Sequence, residues 1–208
     1  MISLLRIALP KGRLYEPAVA RFRMAGMTLT DDPGRRLLIP SSDSGIQFLV
    51  VKPADVPVYV ESGAADLGVT GTDVLRESNP DVLEPLELGF GACRLVVATP
   101  TGAAYPTLPG GITPRVATKY PRLSRRHFAV LGRAVEIVQV GGSVEVAPLL
   151  GLSHWIVDLV DTGNTLRANG LAERETILEC GAILVANRAS QKLKLDAYLD
   201  LMGRLSKT

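Results

Sequence analysis

The sequence predicts an α/β fold, because short apolar runs alternate with segments of helical spacing along most of the chain. The runs Leu4–Leu9 and Ala134–Val140 have the length and character of strands, whereas Tyr15–Met24 and Ser190–Leu205 carry apolar residues at helical spacing. With 208 residues, 47% of them apolar and 21% charged, the chain can bury one good core or two small ones.

The predicted elements follow one another in chain order. Strands are predicted at residues 4–9, 37–40, 48–51, 67–70, 94–98, 115–118, 134–140, 155–160, 176–179 and 182–187. Helices are predicted at 15–24, 56–62, 124–131 and 190–205, and three more begin at 71, at 144 and in the turn after 160. Polar residues predict a turn at 31–36, and repeated proline and glycine predict a loop at 101–113.

The most informative stretch is the strand Trp155–Val160 with the turn that follows it. Asp158 places a carboxylate inside this otherwise apolar strand, and a charge there needs a reason. The turn Asp161–Thr165 supplies a glycine, two threonine hydroxyls and backbone N–H groups at a helix start, which together suit an anion. The same turn is equally typical of an ordinary helix capped by Thr162 or Asn164. The nearby carboxylate favours a phosphorylated sugar as the ligand.

Cations follow two other predicted strands. Lys11 and Arg13 come directly after Pro10, and ligands bind at the carboxyl ends of strands in open α/β sheets. They are therefore candidate polyphosphate contacts, with a solvated basic turn as the alternative. Lys119 and Tyr120 also follow a strand, and a cation beside an aromatic ring suits a purine triphosphate. Such a pair is also common on protein surfaces.

Two acidic residues stand at predicted helix starts. Glu145 falls in the first turn of a helix that Ser143 is expected to cap, and a carboxylate there suits the helix dipole. Asp73 stands at the start of an earlier helix, where it or Thr72 is a possible cap. From position alone, both acids are as typical of helix capping as of a ligand site.

Composition excludes several classes of function. A net charge of +2 and 5% aromatic residues argue against nucleic-acid binding, and no apolar stretch approaches the roughly 20 residues of a membrane span. The first residues do not form a signal peptide, so we expect a cytoplasmic protein. Cys93, Cys180, His127 and His154 fit no zinc-ligand spacing. The metal we expect is magnesium carried by a substrate phosphate.

Several stretches together match a known family. Glu145, five further residues and Gly151–Leu166 match a family signature without a gap, and further matches are Leu9–Leu14, Asp66–Val74 and Arg115–Pro121. The matches span nearly the whole chain. On these motifs the sequence resembles the ATP phosphoribosyltransferase family, which catalyses the first step of histidine biosynthesis.

This resemblance implies a fold and a partner. The implied fold is two-lobed, like a type II periplasmic binding protein, with a ligand cleft between the lobes. Residues 1–90 and 176–208 are expected to form lobe I, and 91–175 lobe II with the phosphoribosyl pyrophosphate loop. The chain ends near the end of the family's short form, which works with a histidyl-tRNA-synthetase-like regulatory subunit. We therefore expect a homodimer within a hetero-oligomer.

The resemblance also implies a reaction, in which N1 of ATP displaces pyrophosphate from C1 of phosphoribosyl pyrophosphate with magnesium present. It assigns Asp158 to the ribose hydroxyls, Thr162, Gly163, Asn164 and Thr165 to the 5′-phosphate, Glu145 to the sugar and metal, Lys11 and Arg13 to polyphosphate, Lys119 and Tyr120 to ATP, and Asp73 to the cleft. Asp161 must point outward or meet magnesium, because a carboxylate repels the phosphate.

The rival hypothesis is a non-enzymatic module. Two-lobed folds of this kind often only bind solutes or sense effectors. N1 of adenine already carries a lone pair, so the transfer reaction needs orientation and electrostatic stabilisation and no enzyme nucleophile. The absence of a Gly-x-Ser-x-Gly motif agrees with this reaction. Export would favour the rival module, and no signal peptide is predicted.

Overall fold

The computed structural model describes residues 4–29, 37–43 and 45–207. The turn predicted at 31–36 lies outside these residues. The chain divides into two compact units: Met1–Gly91 with Gly181–Thr208, and Ala92–Cys180. The first unit is built from both ends of the chain, and the second is one continuous segment.

Strands and helices alternate along the described residues. The strands are β1 (Leu5–Pro10), β2 (Leu38–Pro40), β3 (Ile46–Val51), β4 (Leu67–Gly71), β5 (Leu83–Glu87), β6 (Cys93–Pro100), β7 (Arg115–Thr118), β8 (Glu136–Gln139), β9 (Trp155–Val160), β10 (Leu171–Cys180) and β11 (Ala182–Ala186). The α-helices are α1 (Tyr15–Met24), α2 (Val56–Glu61), α3 (Thr72–Ser78), α4 (Pro121–Val130), α5 (Asn164–Ala168), α6 (Arg188–Leu193) and α7 (Leu195–Leu205).

The first unit is built on a six-stranded sheet in the order β2-β3-β1-β4-β11-β5. Strand β1 pairs in parallel with β3 and β4, while β2, β5 and β11 are antiparallel to their neighbours. Apolar side chains cover both faces of the sheet. Phe22 of α1 packs edge-on against Phe48, and Leu201 of α7 joins the same core. Val56 and Val60 of α2 pack on the opposite face.

The second unit is built on a five-stranded sheet in the order β10-β6-β9-β7-β8. Strands β7, β8 and β9 run parallel, whereas β6 and β10 are antiparallel to their neighbours. Trp155 anchors one face, with its ring against Phe128 of α4 and its indole N–H donating to the Ala104 carbonyl at 3.2 Å. Val144 and Leu166 pack on the other face.

At three places the structure differs from the predicted elements, for identifiable reasons. Strand β5 was not predicted, because Pro85 and two glutamates interrupt its apolar pattern. The helix predicted from 144 is a single 3-10 turn, since Pro148 lacks the N–H that the next helical bond needs. The last predicted helix is divided at Lys194 into α6 and α7.

The expected boundary at residue 176 also differs from the structure. Residues 176–180 are the second half of β10, whose ladder with β6 continues from Leu171↔Pro100 to Cys180↔Cys93. They therefore belong to the second unit, and the chain returns to the first unit at Gly181. The first half of β10 was not predicted, because its charged residues do not give the apolar pattern of a strand.

Close packing of α2 on β4 generates the first prediction. A Cβ atom at Gly68 would lie 2.7 Å from Val56 Cγ1 and 2.8 Å from Val60 Cγ2. The substitution Gly68→Ala should therefore lower the free energy of unfolding by about 1–3 kcal/mol through overpacking. Gly203→Ala, in open space within α7, is the matched control and should raise it by about 0.5–1 kcal/mol. Urea unfolding measures the change in unfolding free energy for each variant. If both substitutions changed stability in the same direction, overpacking at Gly68 would be refuted.

Candidate functional site

A pocket of about 330 Å³ lies at the carboxyl edge of the parallel strands in the second unit. Parallel pairing places the ends of β7 and β9 side by side, since Thr118 is level with Val157. The pocket is lined by Lys119, Tyr120, Ser143, Glu145, Asp158, Leu159, Val160, Asp161, Thr162, Gly163, Asn164, Thr165 and Leu166. The strand-end position is where ligands bind in open α/β sheets.

Asp158 is the central acid of this pocket. It lies on the face of β9 that also carries Ile156 and Val160, both of which are buried in the core. Its side chain is half-buried, and Oδ1 accepts a hydrogen bond from the Leu159 amide at 2.9 Å. A half-buried carboxylate therefore interrupts this apolar face and lines the pocket, with one oxygen bonded to the neighbouring amide.

Burial raises the pKa of Asp158 above its ordinary value of 3.8. The Leu159 hydrogen bond and the charge of Lys119 both lower this pKa, and the charge of Glu145 raises it. The net direction is upward because desolvation is the largest cause. Lys119 and Glu145 thus act electrostatically on the same carboxylate, as expected for groups that share one pocket.

The segment from Asp161 to Thr165, which we call the 161–165 loop, connects β9 to α5. Gly163 adopts φ 76° and stands immediately before the helix, which begins at Asn164 without a side-chain cap hydrogen bond. The Asn164 amide lies 3.4 Å from Thr162 Oγ1, which is a long hydrogen bond. The N-cap position is therefore occupied by Gly163, not by Thr162 or Asn164, although Thr162 Oγ1 still accepts a bond from the first helical amide.

Ser143 is a pocket residue that sequence analysis missed as a ligand candidate. It was predicted to cap a helix, but its side chain makes no cap hydrogen bond and its backbone is left-handed, with φ 49° and ψ 46°. This conformation is uncommon for a residue other than glycine and is enriched at functional sites. The preceding Gly141-Gly142 pair, directly after a strand, was the available signal.

The pocket collects Glu145, Asp158, Lys119, Tyr120 and the whole 161–165 loop from the predicted site. Tyr120 is only 8% exposed and packs in a core cluster with Phe128 and Trp155. It nevertheless lines the pocket beside Lys119, and its assignment to ATP stays a prediction.

The other predicted site residues belong to the first unit. Lys11 and Arg13 are exposed after β1, and Arg13 Nη2 donates to the Gly91 carbonyl at 3.3 Å. Asp73 is buried in the first turn of α3, with its carboxylate folded back against Gly71. These positions place two cations and one acid at the carboxyl edge of the first sheet.

The described residues contain neither a preformed metal cluster nor a membrane-spanning helix. Residues 4–29, 37–43 and 45–207 contain no group of three or more His, Cys, Asp or Glu side chains able to hold a metal ion. None of the helices in the same ranges is long and apolar enough to cross a membrane. The acids that share the pocket are Glu145, Asp158 and Asp161.

Known proteins match the chain over nearly its whole length. Residues 52–207 match the HisG family model, which is described as ATP phosphoribosyltransferase. The chain is 50% identical over 207 residues to an ATP phosphoribosyltransferase of Sorangium cellulosum, a match covering 99% of this chain and 96% of that protein.

The chain belongs to the ATP phosphoribosyltransferase family.

Solved structures agree with this membership and with the predicted fold. A chain of the ATP phosphoribosyl transferase (HisG:HisZ) complex from Thermotoga maritima superposes with a TM-score of 0.86 at 33% identity, covering 98% of both chains. The periplasmic aliphatic sulphonate binding protein SsuA from Escherichia coli superposes at 0.63 and 13% identity, covering 99% of this chain and 72% of that one. The second match shows the fold alone. The two-lobed α/β fold predicted from the sequence is confirmed.

The raised pKa of Asp158 generates a prediction about stability. Between its ordinary pKa and its raised folded pKa, the folded state holds more protons than the unfolded state, so stability falls as pH rises. The destabilising effect is complete above the folded pKa. The substitution Asp158→Asn removes this destabilising charge. The unfolding free energy of the variant at pH 7 should therefore equal or exceed that of the wild type.

The advantage of Asp158→Asn should shrink as the pH is lowered through the folded pKa toward 3.8. Urea unfolding at several pH values measures this difference. Asp161→Asn, which removes an exposed carboxylate from the same pocket, is the control and should change stability little. A marked loss of stability in Asp158→Asn at pH 7 would show that the carboxylate stabilises the fold instead.

Proposed function

We propose that the pocket at the end of β9 binds phosphoribosyl pyrophosphate. As a member of its family, the chain transfers the phosphoribosyl group of this substrate to N1 of ATP, giving phosphoribosyl-ATP and pyrophosphate. This transfer is the first step of histidine biosynthesis. The observation that carries the site assignment is the half-buried Asp158 carboxylate directly beside the 161–165 loop in one pocket.

The reaction needs electrostatic stabilisation more than it needs a nucleophile. The bond from C1 to adenine N1 forms while the bond from C1 to the pyrophosphate oxygen breaks, and its electron pair leaves with pyrophosphate. Positive charge develops on the ribose ring during this step, and a fixed carboxylate stabilises it. Asp158 is suited to this task and to accepting hydrogen bonds from the ribose hydroxyls. It is already held by the Leu159 amide and does not need to reorient.

The 161–165 loop is suited to the 5′-phosphate. Thr162 and Thr165 offer hydroxyl donors, and the first amide groups of α5 have no partners within the helix. Helix α5 has five residues, so individual N–H and O–H donors matter more here than a long helix dipole. Gly163 and Asn164 complete the proposed phosphate contacts.

Magnesium is proposed to enter with the substrates. Mg²⁺ usually retains waters and binds through one or two carboxylates together with substrate phosphates. Glu145 and Asp161 are both pocket acids that could serve in this way, so of the two expected orientations of Asp161 we propose the one that meets magnesium. The ion would neutralise charge on the departing pyrophosphate, and Lys119 would contact ATP phosphates nearby.

Lys11 and Arg13 are the proposed polyphosphate contacts in the first unit. Both side chains are exposed at a strand end, where cations can reach a ligand. Asp73 is proposed to line the substrate site on the same edge, although its buried carboxylate makes direct contact with a polyphosphate unfavourable.

The chain works with a regulatory subunit. The matching structure from Thermotoga maritima is a HisG:HisZ complex, and this chain covers 98% of the matched chain in it. We propose that the partner is a histidyl-tRNA-synthetase-like subunit and that a homodimer of this chain lies within the hetero-oligomer. The proposed location is the cytoplasm, where ATP and phosphoribosyl pyrophosphate are available.

The rival solute-binding function has less support. Solute-binding proteins such as SsuA share the fold, but at 13% identity they support no inference about function. The catalytic reading is supported by relatives that share about half of all residues over the full length. An assay separates the two directly: the complex, ATP, magnesium and phosphoribosyl pyrophosphate should together produce phosphoribosyl-ATP, measured by absorbance.

Two substitutions test the assignment of the pocket. Asp158→Asn and Thr165→Val should each weaken binding of phosphoribosyl pyrophosphate by roughly tenfold to a hundredfold. The first replaces a charged acceptor of the ribose hydroxyls by a weaker neutral one, and the second removes a hydroxyl donor to the phosphate. Isothermal titration of the complex measures this affinity. Thr107→Val, at an exposed loop position, is the matched control and should leave binding unchanged. Unchanged affinity in both pocket variants would reject the site.

A further inference from the structure

Two arginines donate hydrogen bonds to consecutive carbonyl groups of the 161–165 loop. Arg94 Nη1 of β6 donates to the Asp161 carbonyl at 3.2 Å, and Arg167 Nη2 of α5 donates to the Thr162 carbonyl at 2.9 Å. Arg167 Nη2 also donates to Asn164 Oδ1 at 2.6 Å. Both guanidinium groups therefore bind the backbone of the loop directly.

Glu173 of β10 holds one of these arginines in place. Its carboxylate receives Arg94 Nε at 3.0 Å and Arg94 Nη2 at 2.8 Å, which is a two-pronged ion pair of fixed geometry. A Cβ atom at Gly163 would lie 2.9 Å from Arg167 Nη1 and 3.1 Å from Glu173 Oε1. The loop backbone is therefore in close contact with the group formed by Arg94, Arg167 and Glu173, which we call the loop support.

Peptide geometry links the loop support to the pocket. In a trans peptide unit, the C=O group of one residue and the N–H group of the next point in opposite directions. Arginines that hold the carbonyls of Asp161 and Thr162 therefore fix the N–H groups of Thr162 and Gly163 on the side away from the support. Both of these residues line the pocket.

We propose that the loop support positions the 161–165 loop so that its N–H groups meet the 5′-phosphate of the substrate. This inference rests on the proposed assignment of the pocket to phosphoribosyl pyrophosphate. Arg94, Arg167 and Glu173 are positioning residues, since they act through the loop backbone. The loop support contains two arginines and one carboxylate, so its net charge is positive. This charge lies next to a loop that is proposed to bind a phosphate.

A purely stabilising role makes a different prediction. The Arg94 and Glu173 side chains are 33% and 31% exposed, and ion pairs at such positions add at most about 1 kcal/mol to stability. Arg167 is exposed and lies on a five-residue helix, so its removal should cost the fold little. The positioning role therefore predicts an effect on substrate binding that is large relative to the effect on unfolding.

The test uses Arg167→Met, Arg94→Met and Arg167→Lys in the complex with the regulatory subunit. Methionine keeps much of the side-chain length and removes the donors, whereas lysine keeps one donor and the charge. Arg126→Met is the control, since it removes an exposed arginine from α4 of the same unit. Each variant is assayed for KM of both substrates, for kcat and for thermal unfolding.

Two inhibitors locate the effect on the substrate. Ribose 5-phosphate has the 5′-phosphate of the substrate but lacks the pyrophosphate group. Inorganic pyrophosphate has the pyrophosphate group but lacks the ribose and its 5′-phosphate. Each methionine variant should raise KM for phosphoribosyl pyrophosphate and the inhibition constant of ribose 5-phosphate about tenfold. KM for ATP and the inhibition constant of pyrophosphate should stay within about twofold, and Arg167→Lys should recover most of the loss.

The inference is overturned if Arg167→Met leaves KM for phosphoribosyl pyrophosphate and the inhibition constant of ribose 5-phosphate unchanged, while Asp158→Asn weakens phosphoribosyl pyrophosphate binding in the same complex. It is also overturned if the variants lower the unfolding temperature and change the constants of all ligands alike, or if Arg126→Met has the same effect. A wild-type complex that does not bind phosphoribosyl pyrophosphate would instead refute the proposed function itself.

Discussion

The site depends on the pairing register of β9 within the second sheet. Antiparallel pairing with β6 sets Val96 opposite Asp158, and parallel pairing with β7 sets Thr118 beside Val157. This register turns the carboxylate of Asp158 to the pocket side of the sheet, and Trp155 to the opposite core. Because side chains alternate along a strand, a slip of one residue would turn the carboxylate into the core that contains Trp155. The apolar core therefore enforces the position of the acid.

Local sequence signals were sufficient to predict much of this arrangement. Helix α1 and strand β7 have the predicted bounds, because amphipathic spacing and flanking turns determine such elements locally. The strand, acid and glycine turn between Trp155 and Thr165 also form the predicted strand–turn–helix unit. Parallel strands end at one edge of a sheet, so the residues that follow β7 and β9 meet in the pocket as strand-end reasoning requires.

Other features depend on contacts that are distant in sequence. The left-handed conformation of Ser143 and the burial of Tyr120 in a core with Phe128 cannot be read from residue type or spacing. The full length of β10 could not be predicted, because charged residues interrupt its apolar pattern. Its length is determined by pairing with β6, which is distant in sequence. The hydrogen bond from Arg94 to the Asp161 carbonyl joins residues 67 positions apart. Family resemblance assigned the reaction, but the pocket electrostatics required the folded structure.

A crystal structure with phosphoribosyl pyrophosphate bound would show whether the pocket is the substrate site. The 5′-phosphate is expected on the amide and hydroxyl groups of the 161–165 loop, with ribose hydroxyls donating to the Asp158 carboxylate. The Asp161 and Thr162 carbonyls should remain bonded to their arginines. A substrate bound with its sugar phosphate away from this loop, and with no ribose contact to Asp158, would refute the proposed site.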